Sequence, residues 1–308
     1  MNRLKKLFNF IKYYYLTLEL IRFKKNYSNE MDECVVLGNG PSLSASLRHG
    51  FDFFKNKKIM CVNNFAETDY YTQIKPNFYV LADPIFWEKK YEYYSNNYNN
   101  DEKKIRGEYF DALKNIRSGL IDSLLEKTQW ELNLFVPIHS KSSKVFENIS
   151  IINSNIKVIY YSTIPINTRI SCIRHFFYKI NIGMPTPQNV LIPAIFLALK
   201  CKFKFIYLMG ADHSWHQELV LDRNNILGTY DRHFYDETEN KKIIPLMWDI
   251  ESGKTTKVHE QFYALYLVFR SHLFLECYSK NLKAKIFNMS KVTWIDAYAR
   301  DFLHKSAQ

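Results

Sequence analysis

The chain has 308 residues, 47% of them hydrophobic and 16% aromatic, which excludes global disorder and allows one large α/β domain or two small ones. With 42 Lys+Arg against 31 Asp+Glu the net charge is +11, which points to an anionic partner: a membrane surface, a phosphorylated substrate or a nucleic acid. The five cysteines are scattered and form no Cys-x-x-Cys, so neither a disulfide framework nor a zinc site is indicated and a reducing, cytosolic compartment is expected.

From the N-terminus, Leu4, Leu7, Phe8, Ile11, Tyr14, Tyr15, Leu18 and Ile21 recur at steps of three and four among seven Lys and Arg residues. This predicts a basic amphipathic helix within residues 1–29, suited to an anionic membrane surface or to packing on the domain or a second subunit. No uncharged stretch approaches the ~20 residues of a membrane span, and no small-residue cleavage site follows. Residues 26–32 read as a linker, and residues 30–308 as one domain.

Within that domain, strand-like apolar runs occur at Cys34 to Leu37, Lys58 to Val62, Phe78 to Ala82, Leu132 to Val136, Lys157 to Tyr161, Phe203 to Met209 and Ala284 to Asn288. Most are continuous rather than alternating, as in strands buried on both faces of a parallel sheet. Between them, Ile85 to Lys127 predicts two or more helices with an Asn-rich break at 96–100. Gln188 to Lys200 predicts an apolar helix. His259 to Asn281 predicts a long one with Phe262, Leu265, Tyr266, Phe269 and Leu273 on its apolar side. The alternation predicts an α/β fold: a doubly wound, mostly parallel, Rossmann-like sheet with ligand at the carboxyl ends of its strands. Residues 212–258 are polar, rich in His, Asp, Arg and Tyr, and predict a lid subdomain.

The first strand ends in Gly38-Asn-Gly-Pro-Ser42. Gly38 and Gly40 permit a tight turn and close approach of a ligand, and Pro41 and Ser42 suit a helix start whose free N–H groups favour an anion, most often phosphate. The string is not the dinucleotide fingerprint, because position 43 is Leu rather than Gly. Polar residues also end the second strand (Asn63), the third (Asp83) and the sixth (Gly210 to His213), and Asn189 stands at the start of the apolar helix. On an open sheet these converge on one crevice, where Asn39 and Asn63 offer paired donors and acceptors to a base or ribose. The candidate nucleotide-binding residues are therefore Gly38, Asn39, Gly40, Ser42, Asn63, Asp83, Asn189, Gly210 and Asp212. The plain alternative for each is an ordinary turn former. Asp212, His213 and His216 also have metal-ligand spacing, but no further Cys or carboxylate cluster accompanies them. A substrate contact or lid hinge is the preferred reading there, and no metal is assigned.

The strings Gly38-Asn-Gly-Pro-Ser-Leu43, Cys61-Val-Asn-Asn-Phe65, Tyr79-Val-Leu-Ala-Asp-Pro84 and Ile206-Tyr-Leu-Met-Gly-Ala-Asp212 resemble, in order and spacing, the bacterial sialyltransferases of glycosyltransferase family 42 and related motility-accessory-factor proteins. The first string is the specific part. The resemblance implies a Rossmann-like domain with a lid, a CMP-linked acidic sugar as donor substrate, inversion at the anomeric carbon and no cofactor. It implies CMP contacts for Asn39 and Asn63, and places Asp83, where the family often has Asn, near the cytidine or ribose. His259, at the start of the long helix after the lid, holds the position of the family's catalytic base. A helix N-terminus favours a neutral imidazole able to accept a proton. Tyr230 and Tyr235 correspond to lid tyrosines that hold the departing phosphate. His233 and His272 are rival bases. The family's Arg and Ser/Thr-Gly pair near the sugar carboxylate are missing from Gly183 to Asn189, and Arg169, Arg174, Arg223 or Arg232 are candidates to replace the Arg.

These readings together imply a metal-independent enzyme peripheral to the inner face of a bacterial cell membrane. It would act on a glycan or lipid-linked glycan acceptor of lipopolysaccharide or capsule, with a homo-oligomer possible. No nucleic-acid motif appears. The alternatives are a non-catalytic nucleotide-binding protein at a membrane surface, or a Mg-dependent pyrophosphokinase using Asp83 and Asp212.

Overall fold

A computed structural model describes residues 32–48, 51–87, 119–230, 243–249 and 254–300. The expected N-terminal helix, the Asn-rich break and much of the lid lie outside these residues. The strands are β1 (Glu33–Leu37), β2 (Lys58–Val62), β3 (Phe78–Val80), β4 (Leu132–Pro137), β5 (Ile156–Tyr161), β6 (Phe205–Met209), β7 (Leu219–Leu221), β8 (Leu227–Tyr230), β9 (Ile243–Pro245), β10 (Met247–Asp249), β11 (Lys254–Thr255), β12 (Lys285–Asn288) and β13 (Ala299–Arg300). Helices are α1 (Ser42–Arg48), α2 (Tyr70–Ile74), α3 (119–127), α4 (Val145–Ile152), α5 (Ser171–Lys179), α6 (Leu191–Lys200) and α7 (Val258–Asn281).

Eight strands form one parallel sheet in the order β13-β12-β6-β1-β2-β3-β4-β5. The seven expected strands are present, each within two residues of its expected ends, and the short edge strand β13 is an addition. From β1 the chain steps outward to β5, then returns to place β6 on the other side of β1. The order reverses between β1 and β6, which makes their carboxyl ends the topological switch point. The doubly wound prediction is correct.

Alternate strand residues feed two separate cores. Cys34, Val36, Met60 and Val62 pack with α5, α6 and α7, while Val35, Leu37, Ile59 and Cys61 pack with α1, α2, α3 and α4. Burial of both faces explains why the strand sequences are apolar without alternation. Helix α6 lies inside the protein, with every residue from Leu191 to Leu199 buried. A Leu, Ile or Phe side chain buried there contributes about 1.5–3 kcal/mol.

Helix α7 departs from the expected apolar side. Its buried stripe runs through Leu265, Val268, His272, Leu275 and Tyr278, while Phe262, Tyr266 and Leu273 are exposed. The stripe differs from the expected side because it includes Ser271, His272 and Ser279, polar residues that find partners inside. Ser271 Oγ donates to Thr186 O at 3.1 Å and Ser279 Oγ to Glu276 O at 2.9 Å. The described parts of the lid hold a short 3-10 turn (Trp215–Glu218), an antiparallel β7-β8-β9 sheet and a β10-β11 pair. No helix among the described residues is long and apolar enough to cross a membrane.

Candidate functional site

At the switch point lies a crevice of about 640 Å³. Seven residues selected from sequence line it: Asn39, Gly40, Asn63, Asp83, Asn189, Gly210 and Asp212. Gly38 and Ser42 belong to the same turn without lining the crevice. The loop after β6 is clamped from β12 and the segment that follows it. Ala211 N–H donates to Ser290 Oγ at 2.8 Å, Thr293 Oγ1 donates to Ala211 O at 2.6 Å, and Trp294 N–H donates to Asp212 O at 2.9 Å.

The glycines serve a different neighbour from the one expected. Gly38 N–H donates to Met209 O at 2.8 Å and Gly40 N–H to Gly210 O at 2.9 Å, so these N–H groups extend the β1–β6 pairing beyond the strand ends. A Cβ on Gly38 would sit 2.5 Å from Gly210 O, and one on Gly40 would sit 2.6 Å from both Gly210 O and an Asp212 carboxylate oxygen. Gly210 itself has φ +65, a conformation that favours glycine. The residue type is required by backbone packed against backbone.

The start of α1 already holds a negative group. Asp212 accepts from Ser42 N–H at 2.8 Å through one oxygen and from the Ser42 hydroxyl through the other. A carboxylate there satisfies donors that a helix start leaves open. The donors expected to meet a ligand phosphate are therefore bonded within the protein.

Several crevice side chains are fixed by local structure. Asn39 Nδ2 donates to Val62 O at 3.3 Å, and Asp83 accepts Ile85 N–H at 3.0 Å as the cap of a 3-10 turn. Asn63 has φ 48, its carbonyl accepts from the Tyr79 hydroxyl, and its side-chain Oδ1 is buried without a partner among the described residues. An unpaired buried acceptor of this kind calls for an outside donor. Among the described residues the crevice lining contains no Lys or Arg, although it includes the carboxylates of Asp83, Asp212 and Glu218.

Sequence reasoning understated one cluster. His213, at φ 55, lines the crevice and packs its ring 4.5 Å from that of Trp215. Its Nε2 lies 3.0 Å from Asn189 Nδ2 and 2.8 Å from His272 Nε2, and His272 Nδ1 lies 2.8 Å from the Tyr298 hydroxyl. Burial pushes the His213 imidazole down to about 3. Burial, reinforced by His213, holds His272 well below the ordinary histidine range. Both rings are neutral at physiological pH. The signal available in the sequence was His272 falling on the α7 stripe of Leu265, Val268 and Leu275.

Other candidates lie elsewhere. His259 is exposed at the start of α7 and does not line the crevice. Tyr230 ends β8, while Tyr235, His233 and Arg232 are outside the described residues. Arg174 is buried against Phe274, 4.1 Å from its ring centre, and donates to Thr168 O at 2.7 Å. Arg169 and Arg223 are exposed, and none of these three arginines reaches the crevice. His216 packs edge-on to Trp294 at 4.2 Å, and no group of three His, Cys, Asp or Glu residues among those described could hold a metal.

No known protein family matches the chain, and no curated protein matches it. Among solved structures, it is similar to the MAf glycosyltransferase from Magnetospirillum magneticum AMB-1, with 12% identity and a TM-score of 0.43. The match covers 93% of this chain and 38% of that one, so the chain spans well under half the length of that protein.

Proposed function

We propose that this chain is a glycosyltransferase that moves an acidic sugar, sialic acid-like or Kdo-like, from a CMP-linked donor to a glycan acceptor. The observation that carries the reading is the crevice at the β1/β6 switch point, which gathers Asn39, Asn63, Asp83 and Asn189 around one cavity. Open α/β sheets bind ligands at this point. The unpaired Asn63 Oδ1 supports a ligand with hydrogen-bond donors, a need met by a ribose hydroxyl or the amino group of cytosine.

In this reading the acceptor hydroxyl attacks the anomeric carbon as the bond from that carbon to the CMP phosphate oxygen breaks. His259, exposed at the start of α7, takes the hydroxyl proton as general base. Tyr230 and Tyr235 donate hydrogen bonds to the departing phosphate. A lid over the donor limits hydrolysis by excluding water. The Mg-dependent pyrophosphokinase alternative has less support, since Asp83 and Asp212 each already accept a backbone N–H.

Thermal-shift titration tests the reading. CMP should raise the melting temperature more than UMP or GMP, and EDTA should not abolish the effect, because a ligand that binds only the folded state stabilises it by mass action. Equal shifts with all three nucleotides, or none, would refute it. CMP binding without sugar transfer would instead identify a non-catalytic nucleotide-binding protein.

A further inference from the structure

The orientation of one amide sets the protonation of the buried histidine pair. Asn189 Oδ1 accepts Ile192 N–H at 3.2 Å, so its other terminal atom, Nδ2, is the one facing His213. A donor 3.0 Å away requires His213 Nε2 to be the bare, accepting nitrogen. His272 Nε2, 2.8 Å from that same atom, must then carry a proton and donate it. A neutral His272 has a bare Nδ1, which accepts from the Tyr298 hydroxyl at 2.8 Å. A single backbone N–H of α6 thus fixes the tautomers of two histidines.

The proton of neutral His213 is left on Nδ1. That atom has no hydrogen-bond partner among the described residues, and it belongs to a ring that lines the crevice. The left-handed backbone of His213 and the packed face of Trp215 hold the ring in place. Among the described lining residues there is no Lys or Arg, so what they offer a phosphate oxygen is neutral donors of this kind.

We propose that His213 presents Nδ1–H into the crevice as a locked hydrogen-bond donor to a phosphate or carbonyl oxygen of the nucleotide, with Asn189, His272 and Tyr298 as positioning residues. The ligand contact rests on the nucleotide reading above. The donor works like a preorganised dipole: its direction is set before the ligand arrives.

Two substitutions separate binding from architecture. Asn places its amide where Nδ1 stands, whereas Gln places its amide where Nε2 stands. His213→Asn should keep CMP affinity within about threefold while lowering the melting temperature, since Asn189 and His272 lose their acceptor. His213→Gln should keep more of the stability but weaken CMP binding about tenfold or more, the loss of one hydrogen bond to a charged oxygen. The reverse ordering, or equal affinities in the two variants, would overturn the ligand contact. Nitrogen-15 NMR of the unmodified chain provides a measure that needs no variant to fold: His213 should appear as the Nδ1–H tautomer and His272 as the Nε2–H tautomer. The opposite tautomers would overturn the lock. If the unmodified chain binds none of CMP, UMP and GMP, the nucleotide reading fails and the ligand contact with it. Binding that is indifferent to His213 refutes this proposal alone.

Discussion

Acid should destabilise this protein by an amount that His213 makes calculable. Its imidazole has a value of about 3 in the fold and about 6.5 in an unfolded chain. The unfolded state therefore takes up a proton that the native state refuses. The associated stability is fully present above about pH 6.5 and is lost as pH falls from there toward about 3, where the loss levels off. At pH 5 the unfolded imidazole is about 1.5 units below its midpoint and the native one is still neutral, which amounts to about 2 kcal/mol for this residue. Urea unfolding at pH 7 and pH 5, for the unmodified chain and His213→Gln, measures it. The variant is expected to be less stable at pH 7 and to lose about 2 kcal/mol less on going to pH 5. Some slope should remain, because His272 is still buried and still neutral. Parallel pH dependences in the two proteins would refute the claim that His213 is held neutral by the fold.

Gly40→Ala should lower stability by about 1–3 kcal/mol in chemical denaturation, because its Cβ would overlap Gly210 O and the Asp212 carboxylate; an unchanged midpoint would show that the turn can relax. His259→Ala should lower sugar transfer by roughly 10²- to 10⁴-fold with little change in CMP affinity, and near-normal turnover would remove it as the base. Deleting residues 1–25 should release the protein from anionic liposomes and leave transfer to a soluble acceptor intact, each Lys or Arg near such a surface being worth about 1 kcal/mol. If the truncated chain unfolds or loses an oligomer instead, that segment is a packing element.

The sheet was legible because parallel strands covered on both faces must be apolar at every position. Cys34 to Leu37 and Lys58 to Val62 show this directly. The crevice was legible because polar residues such as Asn63 and Asp83 break those runs at the strand ends. The partner of each residue was not. Sequence gives no distance between Ser42 and Asp212, 170 positions apart, so the helix start looked open to a phosphate when a carboxylate already bonds it. For the same reason Gly38 and Gly40 read in sequence as room for a ligand, while the group pressing on them is Gly210. On α7, polarity concealed burial: His272 belongs to the packed stripe only because His213 and Tyr298, from two other segments, supply its bonds.

Among the described residues the crevice lining holds no Lys or Arg, in a chain of net charge +11, and on the proposed nucleotide reading this divides the work of attraction between two length scales. The diffuse positive field would draw such an anionic ligand from solution, and salt weakens that pull because the Debye length is only about 8 Å at physiological ionic strength. Once seated, a nucleotide held as proposed would be kept by short, directional bonds to neutral groups, which are nearly indifferent to salt. Raising ionic strength should therefore slow the arrival of a nucleotide while leaving its residence time almost unchanged, so capture and retention respond to different features of the same molecule.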